Sequence, residues 1–191
     1  EGSENTPSSR VLLRVLVLVP LLLDKGFFIY VGFRHVRFGI DRQRGPRPEV
    51  GQPAPAFTFP DLQGKEVSLS SLRGKVVLLN IWATWCPTCT DEMPSLQQVH
   101  QSFRKEDLQV LSVSIDVLGS QVVAPYMRKY RLDFQTLLDP RGTIKQTYAT
   151  TGVPETFIID RQGVLRHKVI GPRDWMTSEM LAFLERLVKS G

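Results

Sequence analysis

Two cysteines are present among 191 residues, and they stand three apart in Cys86-Pro87-Thr88-Cys89. A bridge across so short a span closes almost no loop and adds little stability, so chemistry explains the pair better than stapling. The dithiol follows Lys75 to Ala83 (KVVLLNIWA), a nearly continuous apolar run of strand length. It opens Pro87 to Lys105, where Met93, Leu96, Val99 and Phe103 recur at helical spacing. A thiolate where a strand turns into a helix meets unpaired backbone N–H groups and the positive end of the helix dipole. These lower a cysteine pKa from about 8.5 into the range of roughly 3.5–7.5. Cys86 is then the nucleophile, Pro87 occupies a first-turn position where its missing N–H costs nothing, and Cys89, one turn inside, resolves the mixed disulfide. The reaction is two-electron thiol–disulfide exchange, needing no cofactor beyond a redox-active Cys86–Cys89 disulfide. The competing use of a C-x-x-C, half of a zinc site, requires two more ligands. His35, His100 and His167 stand at no familiar metal spacing, so no metal is expected.

The elements around the dithiol read as follows. Phe57–Phe59 and Glu66–Ser68 form a short hairpin; Leu108 to Val117 is a second central strand, Gln121 to Tyr130 a helix, and Phe134 to Leu138 a short strand. Ile144 to Ala149 makes one or two helical turns, Thr156 to Asp160 and Val164 to Ile170 pair as a hairpin, and Asp174 to Val188 closes the chain as a helix. Parallel β-α-β first and an antiparallel hairpin last predict an α/β domain over residues 50–191, with a mixed sheet between helices.

Ahead of this domain the composition changes. Residues 1–10 are polar, and Val11 to Phe33 (VLLRVLVLVPLLLDKGFFIYVGF) is apolar enough to suggest a retained membrane anchor, spanning about 34 Å as a helix. Arg14, Asp24 and Lys25 weigh against it, while Phe27, Phe28 and Tyr30 resemble an interfacial belt. A cleaved signal peptide or a helix packed on the body are the alternatives. Residues 34–49 form a basic, Pro-rich linker, its prolines continuing to Pro55. Residues 1–50 carry eight Lys/Arg against five acids, most of the net +5, and no basic stripe interleaved with aromatics follows; nucleic acid is not an expected partner. By the positive-inside rule the basic run Arg34 to Arg47 would keep the body cytoplasmic, against the location drawn below from resemblance.

The stretch Asn80 to Cys89 (NIWATWCPTC), with Pro94 five residues after Cys89 and Val153-Pro154 before TFIID, resembles the thioredoxin fold over about residues 50–190. WCPTC, GVPETFIID, the added N-terminal hairpin and the anchor-like start resemble the CcmG (DsbE), ResA and TlpA branch, tethered oxidoreductases of bacterial cytochrome c maturation. The resemblance implies a thioredoxin-like fold with an N-terminal hairpin extension, Cys86 attacking and Cys89 resolving. It implies that Pro154 is a cis-proline facing the dithiol, that the Val153 backbone pairs with an extended substrate, and that Trp85 and Pro87 flank the nucleophile; an ordinary trans turn proline is the alternative. Glu92 matches the family's acid near the site. Three residues after Cys89, it lies on the same helix face and could carry a proton to or from the buried thiol, the alternative being a solvated helix glutamate. Glu155 is a second acid or a substrate contact. Where many thioredoxins carry a buried Asp, this chain has Asn80, which adds weight to Glu92.

The resemblance further implies a monomeric reductase at the bacterial inner membrane, facing the periplasm. Its substrate would be a disulfide in an apocytochrome c-like protein or a maturation partner, and its electron donor a membrane thiol-transfer protein. A thiol peroxidase acting through a Cys86 sulfenic acid and a non-catalytic peptide-binding module are the rival functions.

Overall fold

The computed structural model describes residues 14–23, 26–35, 48–103 and 107–190, the first two stretches by strand pairing alone. The chain divides into two compact units, Glu1–Gln43 and Arg44–Gly191.

In the first unit, β1 (Arg14–Leu23) and β2 (Gly26–His35) pair antiparallel, with Leu23 opposite Gly26. Where the stretch Val11 to Phe33 is described it is thus paired strand, and no helix among the described residues is long and apolar enough to cross a membrane. The physical reason is local. Pro20 in a helix interior costs about 3 kcal/mol, and the flanking Val and aromatic residues favour strands. A two-stranded sheet is all edge, where proline is tolerated. The polar residues 1–10 and most of the basic linker, 36–47, lie outside the described residues.

In the second unit, Gly51 to Ala54 is zipped onto the body. Gly51 N–H donates to the Leu165 carbonyl, Leu165 N–H to Gln52, and Ala54 N–H to Gly163, at 2.8–2.9 Å. Next come β3 (Thr58–Pro60) and β4 (Glu66–Ser68), the expected hairpin, then a 3-10 turn, Leu69–Leu72. The main elements follow: β5 (Val76–Trp82), α1 (Pro87–Ser102), β6 (Leu108–Ser114), α2 (Ser120–Lys129), β7 (Gln135–Leu138), α3 (Thr143–Thr147), β8 (Glu155–Ile159), β9 (Leu165–Ile170) and α4 (Ser178–Lys189). Their sheet runs β7-β6-β5-β8-β9, parallel from β7 to β5 and antiparallel from β5 to β9. This is the thioredoxin-like fold expected.

All seven residues of β5 are buried, as a central strand covered on both faces requires. Alternation sends Val76, Leu78 and Trp82 into a core shared with α1, α2 and α4, through Met93, Leu96, Val123, Met127 and Leu184. Val77, Leu79 and Ile81 enter a second core with Phe57, Ile144, Tyr148 and Phe157. Asn80 falls in the first set, so a polar group is directed to the face on which α1 lies. β6 ends at Ser114, earlier than Val117, and just beyond it the Asp116 backbone N–H donates to Ser114 Oγ at 3.1 Å.

Candidate active site

Cys86 is the N-cap of α1: its backbone is extended (φ −96°, ψ 108°), and Pro87 is the first helical residue. The two cysteines are bridged, with Cα atoms 5.3 Å apart. Cys86 Sγ accepts from the Cys89 backbone N–H at 3.1 Å and lies 3.4 Å from Thr88 Oγ1 and 3.5 Å from the Val153 carbonyl oxygen. The sulfur expected to attack thus already occupies the position of a helix-capping acceptor, where negative charge is favoured. Cys89 is fully buried, whereas Trp85 is 64% exposed beside the dithiol. Pro87 is exposed too. The Val153–Pro154 bond is cis, Val153 is half-buried, and the Pro154 carbonyl accepts from Gly171 N–H at 2.9 Å.

The loop from β5 to α1 is held from the neighbouring strand. Asp116, buried at the end of β6, accepts from the Thr84 backbone N–H at 2.9 Å, from the Thr84 hydroxyl at 2.6 Å and from Ser114 Oγ at 2.7 Å. Thr84, read from sequence as a turn residue, is the tie that fixes the turn. Asp91 is exposed, as read. Tyr126 on α2 stacks on Trp82 with ring centroids 4.9 Å apart and donates to Thr90 Oγ1 at 2.8 Å.

Glu92 is not a solvated helix glutamate but 2% exposed. Its Oε1 accepts from Asn80 Nδ2 at 2.7 Å, and its Oε2 accepts from the Arg173 backbone N–H and Trp175 Nε1, each at 3.3 Å. Burial pushes its pKa from 4.5 to about 7, against the opposing pull of the Asn80, Trp175 and Arg173 hydrogen bonds. A carboxyl group that exchanges protons near neutrality therefore stands one helical turn from the buried thiol.

Glu155, read from sequence as a second acid or a substrate contact, lies inside the fold. It is fully buried; its Oε1 accepts from Thr151 N–H at 2.8 Å and Thr151 Oγ1 at 2.9 Å, while its Oε2 pairs with Lys168 Nζ at 3.0 Å. These contacts tie the loop before Pro154 to β9. Sequence reasoning missed Asp116 and Trp175. A lone acid at a strand end was the only signal for the first; the second lies some eighty residues from Glu92, and no local pattern links them.

A CPTC dithiol capping the first helix after the central strand, with a cis-proline loop against the nucleophilic sulfur, defines a thioredoxin-fold thiol–disulfide oxidoreductase. The chain belongs to the AhpC/TSA family, whose sequence profile matches residues 50–168. It is 31% identical over 180 residues to a thiol-disulfide oxidoreductase ResA of Bacillus cereus, covering 94% of this chain and 97% of that protein. Among solved structures, it is similar to a chain named thiol:disulfide interchange protein DsbE from Chlorobium tepidum, at TM-score 0.68 and 27% identity, covering 73% of this chain and 98% of that one. StoA from Bacillus subtilis matches at TM-score 0.57 and 26% identity, over 71% of this chain and 98% of its own.

Proposed function

We propose that this oxidoreductase works as a disulfide reductase tethered to the bacterial inner membrane and facing the periplasm. Its clients are disulfides of apocytochrome c-like proteins or of their maturation partners. The observation that carries the chemistry is the pairing of a helix-capping Cys86 with a buried Glu92 whose pKa lies near neutrality. The Cys86 thiolate attacks one client sulfur, the client disulfide breaks, and its second sulfur leaves as a thiolate. Cys89 gives its proton to Glu92 and attacks Cys86 Sγ, releasing the first client sulfur; the client gains two electrons and Cys86–Cys89 becomes the disulfide present here. Val153, its carbonyl 3.5 Å from Cys86 Sγ, supplies backbone for an extended client, Pro154 shapes that edge, and Trp85 and Pro87 offer apolar contact beside it. No cofactor or metal takes part. The enzyme acts as a monomer, and a membrane thiol-transfer protein returns it to the dithiol.

The tether rests on the apolar composition of residues 11–33 and on the length of the alignment with ResA, which at 94% of this chain must reach into that segment. A two-stranded sheet would leave unsatisfied edge groups in hydrocarbon, so in a bilayer the segment has to become helical. Extraction of expressed full-length chain with alkaline carbonate checks this: retention in the membrane pellet is expected, and release of the chain would remove the tether. Alkylation of intact cells with a membrane-impermeant maleimide reports the side, since reduced Cys86 reacts only if it faces the periplasm.

The direction of exchange is tested by equilibrating the protein in graded thiol buffers and following tryptophan fluorescence. A potential near or below that of glutathione is expected; one toward about −120 mV would make the protein a disulfide donor and overturn the reductase reading. Hydrogen peroxide offered in place of a disulfide should be consumed no faster than by the Cys86→Ser variant.

A further inference from the structure

The exchange chemistry makes no use of the segment that follows β9, yet this segment is stitched to α1 immediately beyond the dithiol. Besides the two donors that Arg173 and Trp175 aim at Glu92 Oε2, Trp175 N–H donates to Ser95 Oγ at 3.2 Å. That hydroxyl in turn lies 2.9 Å from the Glu92 carbonyl oxygen and 3.4 Å from that of Arg173. Trp175 is completely buried. An indole N–H can only donate, and a buried one has no water to turn to. Burial does not by itself deliver a partner: the equally buried Trp82 leaves its Nε1 unpaired. Trp175 instead meets one of the buried carboxylates in the fold, and it meets the oxygen that Asn80 leaves free.

We propose that Trp175 is a positioning residue of the redox site, holding Glu92 through its indole N–H so that the segment Arg173–Trp175 governs proton transfer at Cys89. The proposal rests on the reading of Glu92 as proton acceptor and extends it to a part of the chain far away in sequence. Glu92 has two oxygens facing opposite sides of the site. Asn80, on the central strand, fixes one; without a donor on the other, the carboxylate would retain only a single strong hydrogen bond in a low-dielectric interior. The ionised form, which receives the Cys89 proton, is the form these donors favour.

The test compares full-length wild type, Trp175→Phe, Ser95→Ala and Glu92→Gln. Phenylalanine keeps a buried aromatic ring and removes the donor, while alanine at position 95 leaves the indole and loosens the segment that carries it. The Glu92 carboxyl is titrated by carbon-13 NMR, with Glu92→Gln identifying its resonance, and the rate of disulfide exchange with a small dithiol is measured against pH. Trp175→Phe is expected to raise the Glu92 midpoint by about half a unit to one unit, as loss of a hydrogen bond to a charged group implies, and to move the pH–rate profile with it. Ser95→Ala should shift both in the same direction by less. An unchanged Glu92 midpoint in both variants overturns the role of Trp175 whatever Glu92 does. A midpoint that moves while the pH–rate profiles of all four proteins coincide overturns the reading of Glu92 as proton acceptor, and the proposal falls with it. Should Trp175→Phe not fold, Ser95→Ala alone decides, by the same midpoint and profile.

Discussion

Asn80 on β5 donates its amide N–H to Glu92 Oε1 on α1 at 2.7 Å, and the same Nδ2 donates to Thr156 Oγ1 at 2.9 Å. Thr156 is the cross-strand partner of Asn80 in the β5–β8 ladder, so the two side chains share a face and the amide is aimed at α1 from below. The acid of this site thus resides on the helix and its donor on the central strand, the reverse of a strand-borne carboxylate. This arrangement makes Glu92 the group whose ionisation the site senses.

Glu92 titrates at about 7 in the folded protein against 4.5 when exposed, so between these pH values the folded state holds more protons than the unfolded one. Stability contributed by the neutral carboxyl is complete below pH 4.5 and is lost as pH rises through 7. The window is worth about 3 kcal/mol. Urea denaturation of the wild type should show this decline between acid and neutral pH, and Glu92→Gln, which does not ionise, should show a flatter profile.

Cys86→Ser should abolish exchange with protein disulfides. Cys89→Ser should retain the first attack and accumulate a mixed disulfide with the client, because the resolving sulfur is missing. Non-reducing gel electrophoresis after incubation with a disulfide-bonded haem-binding-site peptide reads both, and accumulation in the Cys86→Ser protein would reverse the assignment.

Asp116→Ala would strand three donors that now point at its carboxylate, two of them on Thr84. We expect a loss of about 3 kcal/mol in denaturant unfolding, with Asp116→Asn milder because it keeps one acceptor. The exchange rate should fall as well, since the turn carrying Trp85 and Cys86 loses its tie to β6.

Lys168→Met leaves the buried Glu155 carboxylate without its cation and should cost about 3–5 kcal/mol; adding Glu155→Gln should recover much of that loss. If Glu155 serves the fold only, the double variant exchanges disulfides at the wild-type rate. A rate well below that in a fully folded double variant would return Glu155 to substrate contact.

How much of this was legible in the chain depends on the range of the interaction concerned. The nearly continuous apolar run of β5, the helical spacing through Leu96 and Val99, and the closing hairpin of Thr156 to Asp160 with Val164 to Ile170 are local patterns, and each of these elements formed within a few residues of its expected place. Cys86, Pro87 and Cys89 are likewise local: backbone N–H groups at a helix start exist wherever a helix starts, so the helix-capping place of Cys86 was legible from spacing alone. The apolar run Val11 to Phe33 is ambiguous by itself, because hydrophobicity does not distinguish a helix from a hairpin, and Pro20 favours the strands described here. Which acid is paired with a cation and which is met by neutral donors could not be read. Glu92 and Glu155 are both glutamates beside motif residues, but Lys168 sits across β8–β9 from one, whereas uncharged donors from Asn80 and Trp175 meet the other. Residue type and spacing determined the chemistry of this chain; the long-range packing that desolvates one carboxyl and neutralises the other is set only when strands and helices close, because burial and pairing are properties of neighbours brought together by the fold.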